Sequence, residues 1–227
     1  FLNNSALLSH LHALALEWQL TCRLQVRLSL DPVLTPLLQS LIASTNQEIA
    51  AMAMNLLASQ ARFCRMQRRM QLPLTELPGD YLHSVLQTMR AHASGDEAAD
   101  KRASDAEEAI RAGFAETGSR LALIARLVRS MDSGAVGALS ITHAGVAIFL
   151  SALGLASGQS RDLTVLTTGD NQAARFALGL AAAGLKPSAV ENEFQVLHPD
   201  VALPDGFETL GADRAAALLA GARTARA

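Results

Sequence analysis

"ITHAGVAIFLSALGLASG", from Ile141 to Gly158, is the stretch that decides the fold. It lies within Ser133 to Ser160, a segment that contains no Asp, Glu, Lys or Arg. A membrane span needs about 20 mostly apolar residues, and the strongly apolar part, Ala144 to Ala156, is shorter and has flanks rich in Ser, Thr and Gly. We therefore predict a buried central helix that Ser140 caps and that ends near Gly158.

The composition predicts an all-α protein. Half of the 227 residues are hydrophobic and only 4% are aromatic, with alanine and leucine supplying most of the apolar surface. These two residues favour helix, whereas the β-branched and aromatic enrichment typical of strands is missing. The net charge of −2 does not predict nucleic acid as a partner. Two cysteines and no visible signal peptide predict a cytoplasmic location.

Apolar spacing and capping residues predict about ten helices joined by short connectors. We expect Asp31 and Pro32 to start the second helix, Pro73 to end the third, and Asp170 to cap a later one. The first helix should bury one face at Leu7, Leu11, Leu14 and Trp18. The third should bury a seam of Ile49, Met52, Leu56, Phe63, Met66 and Met70.

The polar segment "ASGDEAADKRAS" suggests a boundary between two helical halves, residues 1–94 and 95–227. The same residues could also continue as an exposed helix within one continuous domain. "STNQ" and "GDNQ", each before an Ala-rich helix, indicate a recurring hairpin. The predicted architecture is a set of stacked antiparallel helical hairpins, forming either a HEAT-like α-solenoid or an irregular multi-helix bundle.

"RFCRMQRRMQLPLTELPGD" (residues 62–80) brings several arginines to the end of the third helix. With the apolar seam facing the core, the arginines share one arc on the opposite side of the helix: Arg62, Arg65, Arg68 and Arg69. One interpretation is a solvated corner in which they pair with Glu76 and Asp80. The other is a docking patch for an acidic partner or nucleic acid.

Candidate catalytic groups do not form a recognisable constellation. The histidines match no metal-binding spacing, and no phosphate-binding loop or nucleophile elbow is present. Cys64 could be a thiolate stabilised by Arg65 and Arg68, or a small buried hydrophobe. His10 could accept a phosphoryl group from the face of an amphipathic helix. We predict no enzyme activity, no metal and no cofactor.

Two segments carry a resemblance to a known family. "LLASQARFCRMQRRMQLPLTELPGDYLHSVL" (residues 56–86) and "ITHAGVAIFLSALGLASGQSRDLTVLTTGDNQAARFALGLAAAGL" (residues 141–185) resemble a bacterial helical domain-of-unknown-function family with HEAT-like repeats. The resemblance implies a curved stack of helical hairpins and supplies no catalytic residues. The sequence therefore predicts a non-catalytic interaction scaffold or regulatory helical-repeat module. The alternative is a signalling phosphotransfer or small-ligand-sensing helical domain.

Overall fold

The computed structural model describes residues 4–72 and 74–224, and these residues form an all-α, multi-helix bundle without strands. The all-α prediction is confirmed. The helices are α1 (Ser5–Leu28), α2 (Pro36–Ile42), α3 (Gln47–Arg68), α4 (Gly79–Ala93), α5 (Glu97–Gly113), α6 (Arg120–Arg129), α7 (Ile141–Ser157), α8 (Arg161–Leu166), α9 (Ala173–Ala182), α10 (Pro187–Leu197) and α11 (Ala212–Thr224). Short 3₁₀ segments lie at Leu74–Glu76, Glu116–Gly118, Asp132–Leu139, Asp170–Gln172 and Phe207–Thr209.

Helix α7 is the centre of the bundle. Every residue from Ala144 to Gly154 is buried, and the helix contacts α1, α2, α6, α8 and α9. A helix that is apolar on all sides is stable only when neighbours cover all sides, so the predicted buried central helix is confirmed. It ends at Gly158, whose φ of 67° is the expected left-handed cap. In the described part of the chain, no helix is long and apolar enough to cross a membrane.

The first turn of α7 is separated from the rest of the helix at Gly145. Its φ of 75° and ψ of 165° lie in a region open only to glycine. Thr35, the residue that caps α2, packs its methyl group against the position that a Cβ at Gly145 would occupy. Ser140 stands at the N-cap position, but its side chain makes no capping hydrogen bond. Glu193 instead accepts a hydrogen bond from the backbone N–H of Ile141 at 2.9 Å.

Helix α2 begins at Pro36, so the predicted start at Pro32 is wrong. A helix that began at Pro32 would place Pro36 in its interior, where the ring removes a backbone hydrogen bond and clashes with the preceding turn. Asp31 instead closes a turn, since its Oδ1 accepts from the backbone N–H groups of Val33 and Leu34. Thr35 caps the helix proper.

Helix α3 ends at Arg68, and the predicted seam stops short of Met70. Met70 has a φ of 54° and is 96% exposed, so it lies outside both the helix and the core. The left-handed turn there lets the N–H of Gln71 reach back to the carbonyl of Met66. Pro73, the predicted terminator, lies outside the described residues. Besides Leu56 and Phe63, the buried face contains residues that the apolar seam did not include: Ala53, Ser59, Gln60 and Cys64.

The predicted polar boundary is mostly helical. Asp96 accepts hydrogen bonds from the backbone N–H groups of Ala98 and Ala99 and so starts α5, which packs against α4. One apolar core includes residues from before and after position 94, among them Leu20, Leu56, Ile124 and Phe149. Residues of both predicted halves therefore contribute to one apolar core.

Helix α9 begins at Ala173, and the prediction that Asp170 caps it is wrong. A 3₁₀ turn, Asp170–Gln172, precedes the helix. The carboxylate of Asp170 points away from the helix start and lies 3.0 Å from Nδ1 of His198. The long-range contact has replaced the local cap.

We expect Gly145→Ala to lower the free energy of unfolding by at least about 2 kcal/mol, because a glycine-only conformation and a filled space both oppose the new methyl group. Gly113→Ala is the control, since nothing lies near a Cβ there and the residue is helical. Alanine should be neutral or stabilising at that position. Urea denaturation measures both, and equal stability of the two variants would contradict the assignment of strain to Gly145.

Candidate functional site

The four arginines of the predicted patch (hereafter the arginine cluster: Arg62, Arg65, Arg68 and Arg69) are all exposed. They occupy the C-terminal end of α3, where cations interact favourably with the helix dipole. None of the four forms an ion pair with another residue in the described part of the chain. The structure thus brings the predicted residues together on one surface and gives them no internal partner.

The prediction that Glu76 pairs with the arginine cluster is wrong. Glu76 is only 4% exposed, and its Oε2 accepts a hydrogen bond from Nε of Arg120 at 2.8 Å. The 3₁₀ turn Leu74–Glu76 directs the carboxylate into the protein rather than along the surface. Asp80 is exposed in the first turn of α4, where an acidic side chain complements the helix dipole.

Arg120, the first residue of α6, has no exposed surface, and its guanidinium is bonded on every side. Its Nη1 and Nη2 donate to the two carboxylate oxygens of Glu17 at 2.6 and 3.1 Å. Nη1 also donates to Oε1 of Gln60 at 3.1 Å, and Nε donates to Glu76. The guanidinium carbon lies 3.7 Å from the ring centroid of Phe63, a cation–π contact.

Arg161, the first residue of α8, extends this cluster. Its Nη2 lies 2.8 Å from Oε2 of Glu17, and its Nε donates to Oγ of Ser151 on α7 at 2.9 Å. We call Glu17, Glu76, Arg120 and Arg161 the buried ion-pair network. Through it, side chains from α1, α6, α8 and the 3₁₀ turn Leu74–Glu76 meet in the interior.

The network keeps the carboxylate of Glu17 ionised although that carboxylate is completely buried. Burial acts to raise the pKa of Glu17, but the charges and hydrogen bonds of Arg120 and Arg161 outweigh it and hold the pKa at about 2. Burial likewise acts to lower the pKa of Arg120, and the two glutamates reverse the shift, so the pKa is raised. Each charge is therefore stable only while its partners are present.

His10 on α1 lies beside the network with both ring nitrogens occupied. The side chain is 2% exposed; Nδ1 is 2.8 Å from Oδ2 of Asp162, and Nε2 is 3.0 Å from the carbonyl oxygen of Glu76. Both partners are acceptors, so only the protonated imidazolium satisfies both contacts. Burial acts to lower the pKa of His10, and these hydrogen bonds outweigh it, so the pKa is raised. The geometry leaves no ring nitrogen free to accept a phosphoryl group.

A surface cleft of about 280 Å³ opens where the network approaches solvent; we call it the Arg161 cleft. Its lining is largely apolar and also includes polar side chains. The lining residues come from α1, α6, α7, α8 and the adjoining turns: His10, Pro78, Leu121, Ala125, Ser151, Leu155, Gln159, Ser160, Arg161 and Asp162. An apolar cleft with a few polar groups is typical of small-molecule binding sites.

Cys64 is a buried apolar contact, and its predicted alternative role as a thiolate is wrong. Burial raises the pKa of its thiol to about 11, so the thiolate is scarce at neutral pH. The Sγ atom lies 3.7 Å from the carbonyl oxygen of Pro32 and donates to it. Within residues 4–72 and 74–224, no three His, Cys, Asp or Glu side chains are grouped so as to hold a metal ion.

Sequence reasoning missed the network, although two signals for it were present. Glu17 stands on the apolar face of α1, between Leu14 and Leu24, and a carboxylate on such a face is rarely buried without a partner. Arg120 begins a helix, where the dipole disfavours a cation and a compensating anion is expected. Neither signal identifies the partner, which lies far away in the chain.

We expect Arg120→Met to lower the free energy of unfolding by about 3–5 kcal/mol, because it leaves the carboxylates of Glu17 and Glu76 buried without a cation. Arg62→Met is the matched control. That arginine is exposed, so its replacement should change stability by no more than about 0.5 kcal/mol. Both values come from urea denaturation, and similar losses in the two variants would show that the network does not hold the fold together.

We expect the stabilisation from His10 to be lost as the pH rises. The pKa of His10 in the folded state lies above the unfolded value of about 6.5, so the imidazolium stabilises the fold fully below pH 6.5. That stabilisation is lost as the pH rises through the pKa of the folded state. Burial lowers the pKa of His198, so its contribution has the opposite sign. The measurement is therefore the difference in unfolding free energy between the wild type and His10→Gln, which should shrink above pH 6.5. A difference that does not change with pH would contradict the imidazolium at His10.

Comparison with models of protein families, with curated proteins and with solved structures found no match for this chain. The resemblance to a HEAT-like helical family therefore stays a prediction that these comparisons neither support nor oppose. The chain presents on α3 an arginine cluster that forms no ion pair within residues 4–72 and 74–224 and, separately, a cleft beside a buried ion-pair network.

Proposed function

We propose that the chain is a non-catalytic protein-interaction module, and that its arginine cluster docks an acidic segment of a partner protein. The observation that carries the proposal is the exposure of four adjacent arginines without internal ion pairs in the described residues. The corner interpretation pairs the arginine cluster with Glu76, but in the structure Glu76 pairs with Arg120. The ion pair between Glu76 and Arg120 thus takes away one structural role that the corner interpretation gave to the cluster.

The opposite face of α3 supports the proposal, because it keeps the docking surface rigid. Gln60 and Phe63 contact the guanidinium of Arg120, and Cys64 is buried beside them. The arginines therefore project from a helix whose inner side is held in place. A preorganised surface of this kind loses less conformational entropy on binding than a mobile tail.

The size of the arginine cluster favours a short acidic peptide over nucleic acid. At 1.5 Å per helical residue, residues 62 to 69 cover roughly 10 Å. The chain as a whole carries a net charge of −2, so the attraction is local and lacks the broad basic surface typical of nucleic-acid binding. Two free cysteines fit the cytoplasmic location that forms part of the proposal.

A second candidate function, small-ligand sensing, is favoured by the Arg161 cleft. The cleft is distinct from the arginine cluster in both position and chemistry, since its lining is largely apolar. A ligand there would contact side chains of α1, α6, α7 and α8, elements that the buried ion-pair network joins.

The test uses a fluorescein-labelled hexaglutamate peptide as the acidic probe, with fluorescence anisotropy as the readout. We expect the wild type to bind it and the Arg65→Glu, Arg68→Glu double variant to lose binding. The unfolding free energy of that variant should stay within about 1 kcal/mol of the wild type, since exposed charges contribute little to stability. Added salt should weaken wild-type binding because it screens the attraction.

The control is Arg126→Glu, Arg129→Glu, which makes the same change in charge at two exposed arginines of α6. This variant should bind the peptide as the wild type does. If both double variants lost peptide binding equally, the loss would follow from the change in net charge alone, and this would contradict a specific docking surface. No binding by the wild type at low salt would contradict the proposal outright.

A further inference from the structure

The Arg161 cleft has two kinds of surface, and together they describe the ligand it would accept. Its sides are formed mainly by apolar groups of Pro78, Leu121, Ala125 and Leu155. Leu155 is 40% exposed, unusual for a large apolar side chain of the central helix. A hydrocarbon group placed there would remove apolar surface from water, which favours binding in proportion to the area covered.

Two residues that line the cleft carry buried polar atoms with unused hydrogen-bonding capacity. Gln159 is 8% exposed, and its Oε1 is buried and has no hydrogen-bond partner among the described residues. Nη1 of Arg161 is also buried and without a hydrogen-bond partner there. Buried polar atoms are normally paired, and leaving one unpaired costs free energy. Two residues of the cleft lining therefore hold an acceptor, Oε1 of Gln159, and an N–H donor, Nη1 of Arg161, without hydrogen-bond partners among the described residues.

The charges around the cleft are balanced, which selects against a charged ligand. The positive charges belong to Arg120, Arg161 and the imidazolium of His10, whose two ring nitrogens are both hydrogen-bonded. The carboxylates of Glu17, Glu76 and Asp162 supply the same number of negative charges. A carboxylate ligand would add an uncompensated charge to a largely apolar cleft, and such burial is expensive. A neutral head group avoids that cost.

We propose that the Arg161 cleft binds a small neutral carboxamide that carries a short aliphatic chain. The amide oxygen accepts a hydrogen bond from Nη1 of Arg161, and the amide N–H donates to Oε1 of Gln159. The aliphatic chain packs against Leu121, Ala125 and Leu155. Both polar atoms are buried. The amide of Gln159 turns toward the head group about its soft terminal torsion. Arg161 keeps its contacts with Glu17 and Ser151, and side chains around its Nη1 move aside to admit the amide oxygen.

The probes are hexanamide and, as its charged counterpart, hexanoate, which has the same chain length and nearly the same shape. Each is titrated into the full ¹⁵N-labelled chain, and amide chemical shifts are followed by NMR. We expect hexanamide to bind with a Kd on the order of 1–10 mM, as befits so small a ligand. Hexanoate should bind at least about tenfold more weakly because it lacks a compensating charge.

Two variants locate the binding. Ala125→Trp fills the apolar side of the cleft and should abolish hexanamide binding, whereas Ala61→Trp, at an exposed position of α3, should leave it unchanged. Gln159→Leu removes the acceptor and should weaken hexanamide binding about tenfold, the value of one hydrogen bond. The NMR spectrum itself reports whether each variant is folded.

Three results would overturn the proposal: hexanoate binding as tightly as hexanamide, hexanamide binding that survives Ala125→Trp, or no shifts with hexanamide at all. The Arg65→Glu, Arg68→Glu variant separates this proposal from the docking function. It should bind hexanamide normally, since neither residue lines the cleft. Loss of peptide docking therefore leaves the ligand proposal standing, and loss of hexanamide binding leaves the docking proposal standing.

Discussion

The arrangement of the helices depends on the ion pairs that the guanidinium of Arg120 forms with Glu17 and Glu76. The guanidinium is fully buried, and it is acceptable there only because Glu17, Glu76 and Gln60 surround it at hydrogen-bonding distances. An ionised group without such partners would cost many kcal/mol to bury. The helices α1, α3 and α6 and the turn that carries Glu76 must therefore pack in one register, because a displaced helix would leave a charge unpaired. Removing one partner of a buried ion pair is strongly destabilising because it leaves the other charge uncompensated.

The apolar core and the ion-pair network form adjoining layers, and α7 belongs to both. Phe149 and Leu153 of α7 lie in the core, whereas Ser151 accepts a hydrogen bond from Arg161. Gly145 lets α7 approach α2 so closely that a side chain there would meet Thr35. The helices α1, α6 and α8 therefore have to satisfy two conditions at once: they pack closely against α7, and they bring the buried charges into contact.

The buried network and the two candidate surfaces use different side chains. Arg120 and Arg161 pair with the buried carboxylates, so the exposed arginines of α3 are not needed for that pairing. Their exposed charge is the feature on which the proposed docking of an acidic partner rests. The largely apolar lining of the Arg161 cleft is the feature on which the proposed binding of a neutral ligand rests. The two surfaces differ in chemistry, and a partner for one has no reason to occupy the other.

The sequence by itself determined the features that depend on near neighbours. Proline and glycine act within a few residues, so the start of α10 at Pro187 and the end of α7 at Gly158 were predictable. The absence of charged residues from α7 likewise predicted that this helix is buried. The wrong start of α2 at Pro32 arose from two competing local signals, Asp31 with Pro32 and Thr35 with Pro36.

Only the tertiary structure decided the partners of the buried charges. Arg120 bonds to Glu17 across 103 positions of the chain and to Glu76 across 44. His10 reaches Asp162 across 152. A periodic pattern shows that a charged residue faces the core, but not which distant residue meets it there. The Arg161 cleft depends on tertiary structure for the same reason, since its walls come from helices that meet only when the chain is folded. Pairing at long range is set by how whole helices pack, and packing is a property of the complete core rather than of any one segment.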